Sequence, residues 1–306
     1  MRRQRGVALL VALLVVALAT ILIGGLLDRG GLTAARTRNE LREMQAENYA
    51  KGLEDYAARV LMQDAQNSDV SDASDDIWNV PLPPTPVPGG IITATMTDLD
   101  GRFNLNNLWP DLDNTKAGAW NAKFVLLLQA LKLDPNLAQN VQDWMSSNPS
   151  AGEGWYAAQA VPYRAAHRPF THVSELRLVQ GFDGDAYARI LPHVSALPVG
   201  TTININTATI PVLMTLRDGA PLTEQEAAAI WQQGHAHFQN LSALQQSPYN
   251  IFGITPGMYD VRSQFFLAHG DITLDGLPFT FYSLLQRVIG TTNGGVFVVQ
   301  RSRGGE

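Results

Sequence analysis

The chain has 306 residues, a formal charge of −6 and no cysteine. That length leaves room for a membrane helix and one or two domains with cores of their own. The lack of cysteine excludes disulfides, thiolate metal sites and a cysteine nucleophile, and the acidic balance argues against a general nucleic-acid binder.

In chain order, the first element is the one from which the rest hangs. Residues 7–27 carry no charge over 21 positions and directly follow Met1-Arg-Arg-Gln-Arg-Gly6. A helix of that length is roughly 31 Å long, matching the hydrocarbon core of a bilayer. Three readings compete. A secretory signal peptide would be cut at Ala17-Leu18-Ala19, although the apolar run continues for eight further residues. An uncleaved anchor would be oriented by Arg2, Arg3 and Arg5 on the cytoplasmic side. A prepilin-type leader would span residues 1–6, be cut between Gly6 and Val7, and leave the apolar helix in the product. Losing its three arginines takes the net charge to −9, before the new amino terminus is counted.

Gly24-Gly25 and Gly30-Gly31 weaken the helix locally, by up to about 1 kcal/mol each relative to alanine, and are expected as places to bend. From 33 to 66 the sequence is rich in Ala, Glu, Leu, Arg and Gln and free of proline. Tyr49, Leu53, Tyr56 and Val60 recur at helical spacing, which predicts an apolar face in need of a sheet. Residues 67–90, acidic at first and then carrying five prolines, read as a loop. Residues 91–97 read as a strand, Asp98-Leu-Asp-Gly101 as a turn too short to signal calcium, and 102–106 as a second short strand.

From 107 to 257 the pattern is helical, broken by Gly and Pro, with five tryptophans (109, 120, 144, 155 and 231) expected mainly in core packing. Two echoes suggest an internal duplication. Phe103-Asn-Leu-Asn106 matches Ile203-Asn-Ile-Asn206, and Phe170-x-x-Val-Ser-x-Leu176 matches Phe238-x-x-Leu-Ser-x-Leu244. Strands return at 261–274, 277–289 and 296–301. If they pair with 91–97, the helical block is inserted into a sheet. The expected architecture is α+β: a transmembrane helix at 7–27, a discontinuous sheet domain from 28–106 and 258–306, and an α-helical insert at 107–257 made of two related subdomains.

The leader, the long helix and the sheet resemble type IV pilins. Pilins usually carry a glutamate at the fifth mature position, which the resemblance implies neutralises a neighbouring subunit's amino terminus. Here that position is Val11, and losing a costly intramembrane carboxylate fits a subunit with no neighbour ahead of it. With Gly101-Arg-Phe-Asn-Leu-Asn-Asn-Leu108, Asp143-Trp144, Tyr163-Arg-Ala-Ala166, Pro169-Phe170, Val173-Ser-Glu-Leu-Arg-Leu-Val179, Gly181, Ile203-Asn-Ile-Asn-Thr-Ala208 and Ser283-Leu-Leu-Gln-Arg287, the chain resembles the protein K family of type II secretion minor pseudopilins. The resemblance implies a pilin-like domain with a large helical insert, at the tip of the pseudopilus with minor pseudopilins I and J. It also implies other pseudopilins, the prepilin peptidase and inner-membrane lipid as partners, and cleavage with methylation of the new terminus. The protein would cross the inner membrane once with its C-terminal domain in the periplasm, as a structural part of an apparatus exporting folded proteins across the outer membrane.

Similar sequences often run D-W-x-D-x-D and then G-A-E-D, which supplies oxygen ligands for calcium. Here the run is Asp143-Trp-Met-Ser-Ser-Asn148 followed by Gly152-Glu-Gly-Trp-Tyr156. Asp143, Asn148 and Glu153 are the remaining calcium candidates, against a loop held by ordinary hydrogen bonds. The alternative function is a membrane-anchored helix-hairpin-helix DNA-binding protein of a DNA-uptake system, suggested by Ile203-Asn-Ile-Asn-Thr-Ala208. Its hairpin position holds Asp218-Gly219-Ala220, and Arg217 is the one Lys or Arg between 201 and 257, against Asp218, Glu224 and Glu226. Phosphate binding needs the opposite balance, so no nucleic-acid partner is expected. No HExxH, Walker A or GxSxG pattern is present and His235-x-His237 would point to different helix faces, so no enzyme is expected.

Overall fold

A computed structural model describes residues 4–66, 71–111, 114–148, 150–290 and 294–303; side chains are described for all of these except 4–6, 28 and 114–115. Leader residues 1–3 therefore lie outside the described residues. The first element, α1 (Gln4–Gln66), is one helix of 63 residues, about 95 Å long at 1.5 Å per residue. It runs unbroken through both glycine pairs, because the strong helix formers around them carry the hydrogen-bond ladder across.

The upper part of α1 lies on an antiparallel sheet of five strands: β1 (Leu82–Val87), β2 (Gly90–Asp98), β7 (Phe265–Leu274), β8 (Leu277–Val288) and β9 (Gly295–Arg303), in the order β1-β2-β7-β8-β9. Between β2 and β7 in sequence come α2 (Asn114–Ala130), α3 (Leu137–Met145), α4 (Glu153–Ala157), α5 (Gly184–Ile190), α6 (Ile210–Leu213) and α7 (Glu224–Trp231), with short strands β3 (Phe103–Asn104), β4 (Val194–Ser195), β5 (Ile203–Asn204) and β6 (Tyr259–Asp260). Although separated by this block, β2 and β7 are direct neighbours, with Met96 opposite Ala268 and Asp98 opposite Phe266. The β7-β8 turn is Asp275-Gly276, both at positive φ (48° and 80°), the backbone that a two-residue hairpin favours.

Three expectations change. The proline-rich segment contains β1, which is tolerated because it is an edge strand whose missing amides cost no ladder partner on the open side. The short strand expected at 102–106 forms at Phe103–Asn104, but it pairs in parallel with Val194 and Ser195 and not with the five-stranded sheet. On α1 the buried stripe is Ala46, Leu53, Ala57 and Leu61, while Tyr56 is 41% exposed. Tyr49 and Val60 pack on the same face as Leu53, so of the four expected residues Tyr56 is the one that turns outward, and alanines provide the close contact.

α1 covers one face of the sheet, and the insert meets the other face at one end. Phe266, Ile272, Leu274 and Leu285 face α1, whereas Phe265 joins Leu99 and Leu197 toward the insert. A Cβ at Gly270 would lie 2.7 Å from Leu53 Cδ1, so glycine there lets the helix settle onto β7. The insert has one continuous core running from Phe103, Trp120 and Phe124 through Trp144 and Phe170 to Val212, Ile230 and Phe238. Trp120 and Trp144 are buried in it, and Trp109, Trp155 and Trp231 pack against it.

Candidate functional site

Two surfaces are candidates for function: the exposed rod and the head riveted to it. Side chains from Val7 to Leu27 stand clear of the rest of the chain, with Val7 61%, Val11 53% and Leu27 71% exposed. The one hydroxyl in that stretch, Thr20, donates back to the Val16 carbonyl at 2.8 Å, which removes its polarity from the surface. It is the one helix among the described residues long and apolar enough to cross a membrane. Contacts between α1 and the head begin at Arg42, which donates to Asp275 of the β7-β8 turn at 2.9 Å, so about 22 Å of helix separates the apolar segment from the head.

Charged side chains fix the head to α1. Ser283, Leu285 and Arg287 alternate onto the helix-facing side of β8. Ser283 donates to Glu54 at 2.6 Å, Leu285 enters the core, and Arg287 donates to Asp64 at 3.0 Å and to Asp72. The spacing fits: ten helical residues span about 15 Å and four strand residues about 14 Å. Arg287 also donates to the Ser263 carbonyl and lies 4.9 Å from the centroid of Phe266. From β9, Arg301 grips both oxygens of Glu54, at 2.7 and 2.8 Å, and Arg303 meets Glu43 and Glu47. Burial opposes ionisation of Glu54, but the hydrogen bonds from Arg301 and Ser283 prevail and hold its carboxyl below the usual range.

Where sheet meets insert, carboxylates crowd together. Burial pushes Asp64 up to about 6, aided by the charges of Asp76 and Asp72 and opposed by Arg287. Asp98 is buried, and burial raises it despite its accepting from Ser263, Asn204 and Thr207. Asp100 stands well above the usual carboxylate range through burial and the neighbouring Asp98, and its Oδ1 has no hydrogen-bond partner among the described residues. This junction fixes how the insert sits on the sheet. Its Asp98-x-Asp100-Gly sequence reads as an ordinary turn, and the partners lie more than a hundred residues away. Gly101 is required here because a Cβ would lie 2.6 Å from the Thr207 carbonyl oxygen.

The duplicated motifs perform the same task twice. Asn104 accepts from the Asn106 amide at 3.1 Å, and Asn204 accepts from Asn206 at 3.0 Å. Asn106 exchanges two bonds with the backbone of Phe170, at 3.0 and 2.6 Å; Asn206 does so with Phe238, at 3.0 and 2.8 Å. Each first asparagine also closes a two-residue parallel ladder, β3 with β4 and β5 with β6. An asparagine amide supplies a donor and an acceptor, as a peptide unit does, so it can brace a buried loop where no strand continues.

At the expected calcium loop the three candidates are already engaged. Asp143 Oδ1 accepts from Gln139 at 2.8 Å, Asn148 Oδ1 accepts from the Ser150 amide at 3.1 Å, and Glu153 Oε1 accepts from the Ala165 amide at 3.0 Å. Among the described residues, carboxylate and imidazole atoms converge in threes elsewhere, at Asp75, Asp76 and His237 and at Asp64, Asp72 and Asp76. In the second set Arg287 already supplies the cation. Calcium gathers six to eight oxygens around one point, whereas here Asp143, Asn148 and Glu153 each serve a separate hydrogen bond within the loop.

At the hairpin where a DNA phosphate would approach, the chain places its own carboxylate. Asp218 is bound by Lys123 Nζ at 2.6 Å and by Thr255 at 2.6 Å. Lys123 is 3% exposed and also donates to the Leu216 carbonyl, so its charge is spent internally. A paired carboxylate therefore stands at this hairpin, and it would repel a phosphate.

Against known proteins, the family model described as type II secretion system (T2SS), protein K matches residues 101–199. The type II secretion system protein K of Pectobacterium carotovorum subsp. carotovorum is 34% identical, over 99% of this chain and 97% of its own. The protein of the same name from Pseudomonas aeruginosa is 33% identical, over 94% and 90%. In fold the chain is similar to a chain of the crystal structure of the GspK-GspI-GspJ complex from the enterotoxigenic Escherichia coli type 2 secretion system. That likeness has a TM-score of 0.74 and 24% identity, and covers 89% of this chain and 100% of that one.

Proposed function

Since the chain belongs to the type II secretion system protein K family, we propose that it caps the periplasmic pseudopilus beside minor pseudopilins I and J. It is a minor pseudopilin, a structural component in protein export. In the proposed sequence of events, the prepilin peptidase cuts between Gly6 and Val7, the new terminus is methylated, and the helix stays in the inner membrane with the head in the periplasm. The rod then moves from lipid into a bundle of sister helices. Both surroundings are apolar, so its surface need never meet water.

The observation that carries this reading is the contrast between an uncharged, exposed rod and a bulky head that leaves about 22 Å of helix beyond the apolar segment bare. Val11 supports the terminal place, because a subunit without a carboxylate there offers nothing to a terminus stacked ahead of it. The head, which includes an insert of two subdomains, fits more easily on a filament's end than in its shaft. The resolved complex of GspK with GspI and GspJ supports I and J as the neighbours.

Amino-terminal sequencing of the mature protein from its own host tests the rod's fate. Val7 as the first residue is expected; Thr20 would indicate a cleaved signal peptide, and an intact Met1 a plain anchor. Gly6→Val should block the size shift in cells with active peptidase, and a normal shift would count against the proposal. Co-purification with I and J, without retention on duplex DNA at physiological salt, tests the partners.

A further inference from the structure

Metal-ligating side chains meet at a junction of the head that neither the export reading nor the calcium loop uses. Asp75 and Asp76 lie in the segment leading from α1 to β1, and His237 lies beyond α7 in the second subdomain of the insert. One oxygen from each carboxylate and one ring nitrogen fall within 4.8 Å of one another. His237 Nδ1 is 3.0 Å from Asp75 Oδ1 and 3.3 Å from its Oδ2. Ligands at about 2.0–2.1 Å from a tetrahedral ion stand roughly 3.3 Å apart, so the ring and Asp75 are already near coordinating distance. The ligands are also held from behind. His237 precedes Phe238, whose amide and carbonyl are both bonded by the buried Asn206, so the backbone that carries the ring is braced. Asp76 Oδ2 accepts from the amide of the buried Ala73 at 2.7 Å. The Trp78 indole N–H, buried and without a hydrogen-bond partner of normal geometry among the described residues, is aimed at the same carboxyl. Donors that orient a carboxylate from behind accompany bound metals. Charge points the same way, because Arg287 is taken by Asp64 and Asp72, and His237 is the basic group beside Asp75 and Asp76. In the first copy of the duplicated motif the residue before the braced Phe170 is Pro169, which offers no ligand atom.

We propose that Asp75, Asp76 and His237 bind one zinc ion, which clamps the segment before β1 to the second subdomain of the insert. Two carboxylate oxygens and an imidazole nitrogen form a set that zinc accepts, with water in the fourth position. Calcium is poorly served by it, since that ion gathers six to eight oxygens. The clamp joins residues 162 positions apart in sequence and so restrains how the insert sits on the sheet. It does not depend on where the chain stands in a filament.

Full-length, untagged protein in detergent, dialysed against chelator and then titrated calorimetrically with zinc chloride, provides the test. Saturable binding of one zinc ion per chain is expected. His237→Gln and Asp75→Asn should each weaken it at least about tenfold, and neither change touches the core, since the two side chains are 27% and 54% exposed. His235→Gln, two residues away and outside the cluster, should bind as the wild type does. Zinc at about a hundred times its Kd should raise the thermal midpoint by roughly 5–10 °C, a rise that His237→Gln should remove. Calcium at the same concentration should leave the midpoint where it was. The proposal is overturned by a lack of saturable zinc binding, by calcium matching zinc, or by binding that His237→Gln leaves intact, which would mark an adventitious ion only.

Discussion

The two halves of α1 share one helical backbone and have opposite surroundings. Residues 7–27 keep every described side chain on the outside, with hydrogen bonds satisfied inside the helix, so nothing fixes which way the rod faces. From Ala46 to Asp64 the same helix is pinned by a narrow alanine and leucine stripe and by Glu54 and Asp64, which set its position along β8. The lower half is suited to exchanging partners of similar chemistry, and the upper half to staying with one. The difference lies in an uncharged run below and, above, buried carboxylates that each have a fixed partner on β8.

Three measurements would break or sharpen that contrast. The largest effect is expected from Arg287→Ala, which strands Asp64 and Asp72 in a buried site and should cost about 3–5 kcal/mol in unfolding experiments. A loss below about 1 kcal/mol would mean that apolar packing alone holds the head to the rod.

A smaller effect should come from pH. Asp64, Asp98 and Asp100 have folded-state pKa values above their unfolded ones, so the folded protein binds more protons. Their contribution is fully present below the unfolded value near 4 and is lost as pH rises through the folded values, about 6 for Asp64. The thermal midpoint of the head should therefore rise by roughly 2–6 °C on going from pH 7.5 to 5. A fall over that range would show that the exposed ion pairs dominate instead.

The smallest effect is expected from Arg303→Ala. Its side chain and that of Glu43 are each 53% exposed. Screened pairs of this kind contribute up to about 1 kcal/mol, and salt should erase most of the difference. An effect equal to that of Arg287→Ala would remove the distinction between buried and surface rivets.

What the sequence revealed depended on how local the signal was. An apolar run of bilayer length, the β-branched stretch at 91–97 and the Asp275-Gly276 turn are each legible within a few residues. The duplication was legible because an asparagine pair recurs in both copies. Missed features depend on long-range contacts. Arg287 belongs to a quoted motif, yet its partners Asp64 and Asp72 lie 223 and 215 residues away. β1 was hidden because proline is read as a breaker, and only its place at the sheet edge makes it acceptable. His167 carries no spacing signal, being a lone histidine whose ring contacts come from the end of α3 and the start of α4. Strands β4 to β6 are two residues long, too short for any periodicity.

The most direct test of the whole account is where the protein sits on its filament. Electron microscopy of pseudopili bearing an epitope in the insert should show label at one end of each fibre and none along the shaft. Label repeated along the shaft would contradict the cap, because a subunit with that head and with Val11 in place of a carboxylate would then be stacking like any other.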